Sequence, residues 1–125
     1  MAKVVLIEVE TAAAGQICRA LAADGHQVER RQQSVVTQEL LDADIVFAGG
    51  EPAQYLLLLK RVREVRPTLP FVVVTRMPET SAWLNALEAG ATDCCAAPIE
   101  TRQLRWLVES ALPAVRWNYG CQAQR

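Results

Sequence analysis

The chain has 125 residues, 51% hydrophobic and 22% charged, which supplies one well-covered core and is too mixed for a disordered chain. With 13 basic and 14 acidic residues its net charge is -1, which excludes the basic footprint of a nucleic-acid binder. The longest apolar runs, such as Tyr55 to Leu59 and Phe71 to Val74, fall far short of a membrane span.

Met1-Ala2-Lys3 leads directly into an apolar, strand-like segment with no signal-peptide architecture, so a cytoplasmic protein is expected. Val4-Val5-Leu6-Ile7 is the first strand. Thr11 is placed to cap the first helix, whose Ala14, Ile17, Cys18 and Leu21 share a face and whose end is marked by Gly25. Gln27 to Arg31 is a polar strand, suited to a sheet edge, and His26 sits in the turn before it as a half-buried packing residue. Ser34 to Asp42 reads as a short second helix with Val35, Leu40 and Leu41 apolar. Asp44 to Ala48 is the third strand and stops at Gly49-Gly50.

Pro52 suits a helix start, and Ala53 to Val65 reads as the third helix, with Leu58, Val62 and Val65 inward and Pro67 as its stop. Phe71 to Thr75 is apolar almost throughout, as a strand covered on both faces should be. Thr80 or Ser81 can cap a fourth helix ending at Gly90. Thr92 to Ala96 is the fifth strand, and Thr101 to Leu112 the fifth helix, with Leu104, Leu107, Val108 and Ala111 on one face. Residues 113–125 lack clear periodicity and read as a tail or linker, with Trp117 and Tyr119 available for docking, after a single domain over 1–112.

Strands alternating with helices imply an α/β fold, a doubly wound five-stranded parallel sheet with helices on both faces. The flavodoxin-like order 2-1-3-4-5 fits this length. The four cysteines, Cys18, Cys94, Cys95 and Cys121, form no C-x-x-C pair, and with a single histidine no metal site is expected. Cys94 and Cys95 are adjacent in a strand and should face opposite ways as reduced packing residues. Lys60, Arg61, Arg63 and Arg66 read as the solvated face of an amphipathic helix.

In such a sheet ligands bind beyond the carboxyl ends of the strands, at the switch in strand order. That places a site among Glu8 to Glu10, Gly49 to Glu51, Thr75-Arg76 and Ala96-Ala97. Around these positions the sequence resembles the receiver domains (CheY-like) of two-component response regulators. The resemblance is carried by Asp44-Ile-Val-Phe-Ala, by Leu69-Pro-Phe-Val-Val-Val-Thr75, by Ala86-Leu-Glu-Ala-Gly-Ala-Thr-Asp93 and by Pro98. It spans residues 3–112 without obvious gaps.

The resemblance implies a phosphoryl-transfer pocket. An acidic pair after strand one would hold magnesium, an aspartate after strand three would accept the phosphoryl group, and a hydroxyl and a lysine would bind its oxygens. Carried over position by position, Glu8 holds the first acidic place and Val9 the second, Gly49 stands at the acceptor, Thr75 keeps the hydroxyl, and Ala97 replaces the lysine before Pro98. Cys94 stands at the aromatic switch position. The expectation is a degenerate pseudo-receiver without cofactor or enzymatic activity.

Three residues refine this. Glu51 is the candidate for a displaced acceptor, against the plainer reading of an exposed loop residue. Arg76 follows Thr75 and can pair with Glu8 or Glu51 to lock the pocket, or else sit in solvent. The resemblance implies that the fourth helix, fifth strand and fifth helix form an output and homodimer face; Trp106, off the apolar stripe of the last helix, is an interface candidate there with Cys94 and Trp83, although Trp83 can equally be core.

The resulting function is a signalling interaction module in the phosphorelay family, binding a histidine kinase, an output domain or a second copy of itself, with neither nucleic acid nor membrane as partner. The alternatives are a working receiver using Glu51, or a small-ligand-binding flavodoxin-like domain. The last lacks a Gly-rich phosphate loop after strand one and presents anions there.

Overall fold

A computed structural model describes residues 2–31, 40, 42–76 and 80–111. Five parallel strands, β1 (Lys3–Ile7), β2 (Gln27–Arg31), β3 (Ile45–Ala48), β4 (Phe71–Thr75) and β5 (Asp93–Ala96), form one sheet in the order β2-β1-β3-β4-β5. Four helices are described: α1 (Thr11–Ala23), α2 (Pro52–Val65), α3 (Thr80–Glu88) and α4 (Thr101–Ala111). The expected fourth and fifth helices are therefore α3 and α4. Of the expected second helix only Leu40, fully buried, and Asp42 are described; the tail after Ala111 lies outside the described residues.

The alternation of side chains along each strand builds two cores. Val4, Leu6, Ile45, Phe47, Val72 and Cys95 face one way and meet α1 and α4. Val5, Ile7, Val46, Phe71, Val73 and Cys94 face the other and meet α2 and α3. The adjacent cysteines thus enter opposite layers. Burial pushes the Cys94 thiol up to about 11 and the Cys95 thiol up to about 12, with the Asp93 carboxylate adding to both. Fully burying a side chain such as Leu58 or Leu104 contributes on the order of 2 kcal/mol.

Two residues read as strand starts act instead as pins just before the strands. Asp44 accepts the Lys3 N–H at 2.8 Å on its side chain and donates its own N–H to the Lys3 carbonyl at 2.8 Å. Thr92 does the same to Phe71, at 3.0 and 2.7 Å. Each fixes the start of one strand against its neighbour.

Other boundaries also shift. Glu10, not Thr11, occupies the N-cap of α1, and its carbonyl accepts the Ala14 N–H at 2.7 Å. Pro52 is the first residue of α2, as its fixed φ favours. Val65, expected inward, is 54% exposed. The stripe on α2 is Tyr55, Leu58, Leu59 and Val62. The stripe ends a turn before the helix does, and burial passes to Leu69 beyond Pro67. Arg63 reaches across to α3, donating from Nε and Nη2 to the Gly90 carbonyl at 3.0 and 2.8 Å. No helix among the described residues is long and apolar enough to cross a membrane.

Candidate functional site

The carboxyl ends of β1, β3, β4 and β5 open onto a cleft of about 390 Å³. Glu8, Glu10, Gly50, Glu51, Thr75 and Arg76 line its polar part. Tyr55, Val74, Trp83 and Ala97 line its apolar part. Of the residues named from the sequence, Glu8, Glu51, Thr75, Arg76, Trp83 and Ala97 line this cleft, and Val9 and Gly49 do not.

On the β1–β3 side the chain closes tightly. Glu8 leaves β1 with φ at 56°, a left-handed conformation that costs a non-glycine residue about 1 kcal/mol, and its N–H donates to the Arg31 carbonyl at 2.9 Å. Gly49 follows β3 and donates its N–H to the Ile7 carbonyl at 2.9 Å. A Cβ on Gly49 would stand 2.9 Å from the Glu8 carbonyl oxygen, 3.2 Å from that of Val74 and 3.3 Å from the Val9 Cα. All three are backbone atoms, which cannot swing aside as a side chain can. Any side chain at this position requires β1 and β4 to move apart.

Val9 is partly buried and packs against the first core. Among the described residues no three His, Cys, Asp or Glu side chains gather to hold a metal ion. Where the resemblance implies an acidic pair for magnesium, Glu8 offers a carboxylate but Val9 an apolar side chain packed on the core, a donor set that does not fit that ion.

On the β4–α3 side the residues are differently engaged. The Trp83 indole N–H donates to the Thr75 hydroxyl at 3.2 Å, and the Cys94 sulfur lies 3.9 Å from the Trp83 carbonyl. Trp83 is half-buried at the cleft wall, and Cys94 is 8% exposed in the second core, so neither stands on an open face. The Trp83–Thr75 bond escaped the sequence reading; its only signal was a tryptophan eight residues after the strand-four hydroxyl.

The locking reading needs Arg76 to pair with Glu8 or Glu51, and it pairs with neither. Its Nε meets Glu10 Oε2 at 3.0 Å, with the arginine side chain 75% exposed. An exposed pair of this kind contributes at most about 1 kcal/mol, so Arg76 does not lock the pocket. Glu51 is exposed at the N-cap of α2, where Gln54 Oε1 accepts its N–H at 3.2 Å. Ala97 donates its N–H to the Thr75 carbonyl at 2.7 Å and presents only a methyl group to the cleft; the Ala97–Pro98 peptide is cis. Gln16 of α1 clasps the next turn, accepting the Ile99 N–H at 3.0 Å and donating to the Ile99 carbonyl.

Away from the cleft, Trp106 stands out from α4 at 60% exposure, opposite the buried Leu104, Leu107 and Val108. Leu84 and Leu87 are exposed on α3. Arg105 ties α4 to the end of α1 through Asp24 at 2.9 Å.

No family model and no curated protein matches the chain. Solved structures do. A putative response regulator from Chloroflexus aurantiacus is 25% identical, with 90% of this chain and 98% of that one covered at a TM-score of 0.76. A response regulator receiver domain protein from Clostridium thermocellum is 19% identical over 94% and 99% of the two chains, at 0.78. A CheY-like receiver domain protein from Methanospirillum hungatei is 17% identical over 94% and 98%, at 0.77. The structural neighbours are thus response-regulator receiver domains, and the chain has their flavodoxin-like fold.

Proposed function

We propose that this chain is a receiver-like module of two-component signal transduction that acts by protein–protein interaction, without phosphorylation at the usual place. The observation that carries the reading is the crowding at Gly49. Glycine has no nucleophile, and the backbone oxygens of Glu8 and Val74 stand within 3.2 Å of where a Cβ would be. The acceptor position is therefore short of room as well as of a carboxylate.

Three further features support it. Ala97 offers no charge to a phosphoryl oxygen. The Thr75 hydroxyl already accepts the Trp83 indole. Glu51 sits one helix start away from the strand end, on the exposed rim. A transferring phosphoryl group needs cations positioned around it, and among the described residues the one arginine lining the cleft pairs with Glu10.

The partner is a protein: a histidine kinase, an output domain or a second copy of this chain. The face of α3, β5 and α4 is its docking surface, where Trp106, Leu84 and Leu87 are exposed at 60, 54 and 44%. A large exposed tryptophan of this kind is a typical interface anchor.

Heteronuclear NMR with magnesium and beryllofluoride tests the reading. It predicts no saturable shifts at the amides of Gly49, Thr75 and Ala97. Saturable shifts there would contradict it and make Glu51 the first residue to substitute.

A further inference from the structure

We propose that the cleft is a binding site for a small organic cation, an ammonium carried on an aromatic body. This inference rests on the reading that the cleft no longer handles a phosphoryl group, and it names what the cleft takes instead.

The first argument is shape. A space of about 390 Å³ persists at the strand ends although the acceptor position beside it is closed. It lies within the range of small-molecule sites, which runs from about 300 to 1,000 Å³. Its wall is mainly apolar and includes the Trp83 and Tyr55 rings, with Val74 and Ala97 between the strand ends. Such a surface covers a flat apolar body.

The second argument is charge. Among the described residues, Glu8, Glu10 and Glu51 line the cleft with one cation, Arg76, which pairs with Glu10 at 3.0 Å. Among the described residues neither Glu8 nor Glu51 has an ion-pair partner. The remaining field favours a cation and repels carboxylates and phosphates. An ammonium drawn to Glu8 and Glu51 would leave its aromatic body for the apolar wall that includes Trp83. Position 97 adds to the preference, since a methyl group stands there and no side-chain cation competes.

The third argument concerns readout. Trp83 belongs to α3, and its indole N–H holds Thr75 at the end of β4. An occupant of the cleft meets this hydrogen bond directly, so binding registers on the same helix that carries the exposed Leu84 and Leu87.

The test titrates the full-length, isotope-labelled chain with 2-phenylethylammonium and, separately, with 3-phenylpropionate, which has a similar body and the opposite charge. The expected result is saturable movement of the Trp83 indole N–H and the Gly50 and Thr75 amides with the ammonium and none with the carboxylate. Glu8→Gln and Glu51→Gln should each weaken the ammonium by about threefold, as loss of one partly exposed carboxylate implies, while Glu29→Gln on β2 leaves it unchanged. No saturable shift, equal binding of the carboxylate, or an unchanged affinity in the Glu8→Gln/Glu51→Gln double variant would overturn the proposal. The same samples, incubated with magnesium and acetyl phosphate and weighed intact, separate the two readings. A phosphoryl adduct contradicts the phosphorylation-independent module; failure of the ammonium to bind without any adduct contradicts this inference alone.

Discussion

The two sides of the cleft have been treated differently. On the β1–β3 side backbone fills the space: Glu8 adopts a left-handed φ of 56°, and its carbonyl stands 2.9 Å from where a Gly49 Cβ would be. On the β4–α3 side a cavity remains, bounded by Thr75, Arg76 and Trp83, with one indole–hydroxyl bond and one exposed ion pair. Backbone crowds the Gly49 position while the space beside it stays open. The crowded side belongs to central strands, and the open side to a helix start and a loop.

The contrast breaks most sharply at Gly49. Gly49→Ala adds a single methyl group against three fixed backbone atoms, and it should destabilise the fold by about 2 kcal/mol in denaturant melts. Gly50→Ala is the neighbouring control. There φ is 90°, and the nearest atom a Cβ would meet is the movable Gln54 Oε1 at 3.1 Å. Its cost should be about 1 kcal/mol, from backbone conformation more than from crowding. Equal and small losses at both positions would show that the β1–β3 side is not closed.

On the open side, Trp83→Phe and Thr75→Val each remove one partner of the indole–hydroxyl bond. Each should cost about 1 kcal/mol, with a double-mutant cycle returning a coupling of similar size. A coupling near zero would mean the two sides are equally unconstrained at Thr75.

The two layers beneath the cleft offer a pH test. Unfolded thiols titrate near about 8.5, whereas burial raises Cys94 to about 11 and Cys95 to about 12. Above the unfolded value the unfolded chain releases protons that the folded chain retains. This contribution to stability is complete below about pH 8.5 and is lost as pH rises through the folded values. Melts at pH 7 and pH 10 should show a smaller decline for a Cys94→Ala/Cys95→Ala variant than for the parent. An identical decline would place the thiols in water.

The smallest effect belongs to Arg76→Ala. Its ion pair with Glu10 is exposed, so the change in stability should stay below about 0.5 kcal/mol and vanish in high salt. A larger loss would restore Arg76 as a lock.

Much of the fold was legible because its signals are local and repeated. Alternation of apolar strands with helices bounded by Gly25, Pro52 and Pro67 gave the sheet order, and Cys94 and Cys95 divided between layers as strand geometry requires. Polar Gln27 to Arg31 did form the edge strand. What escaped the sequence depends on backbone choices that residue types do not encode. The left-handed turn at Glu8 redirects Val9 and Glu10, and it is Glu10 rather than Glu8 or Glu51 that meets Arg76. Asp44 and Thr92 read as strand residues, yet their side chains bond the neighbouring backbone and hold the strand starts from outside. Val65 kept the helical period but stood past the last turn that the core covers.

The central claim is that no phosphoryl group is accepted at this cleft. Intact mass after incubation with magnesium and acetyl phosphate measures it directly. The account predicts an unmodified mass at every time point under conditions that label an ordinary receiver domain. A mass increase of one phosphoryl group, abolished by Glu51→Gln, would contradict it and turn the open rim of α2 into the acceptor.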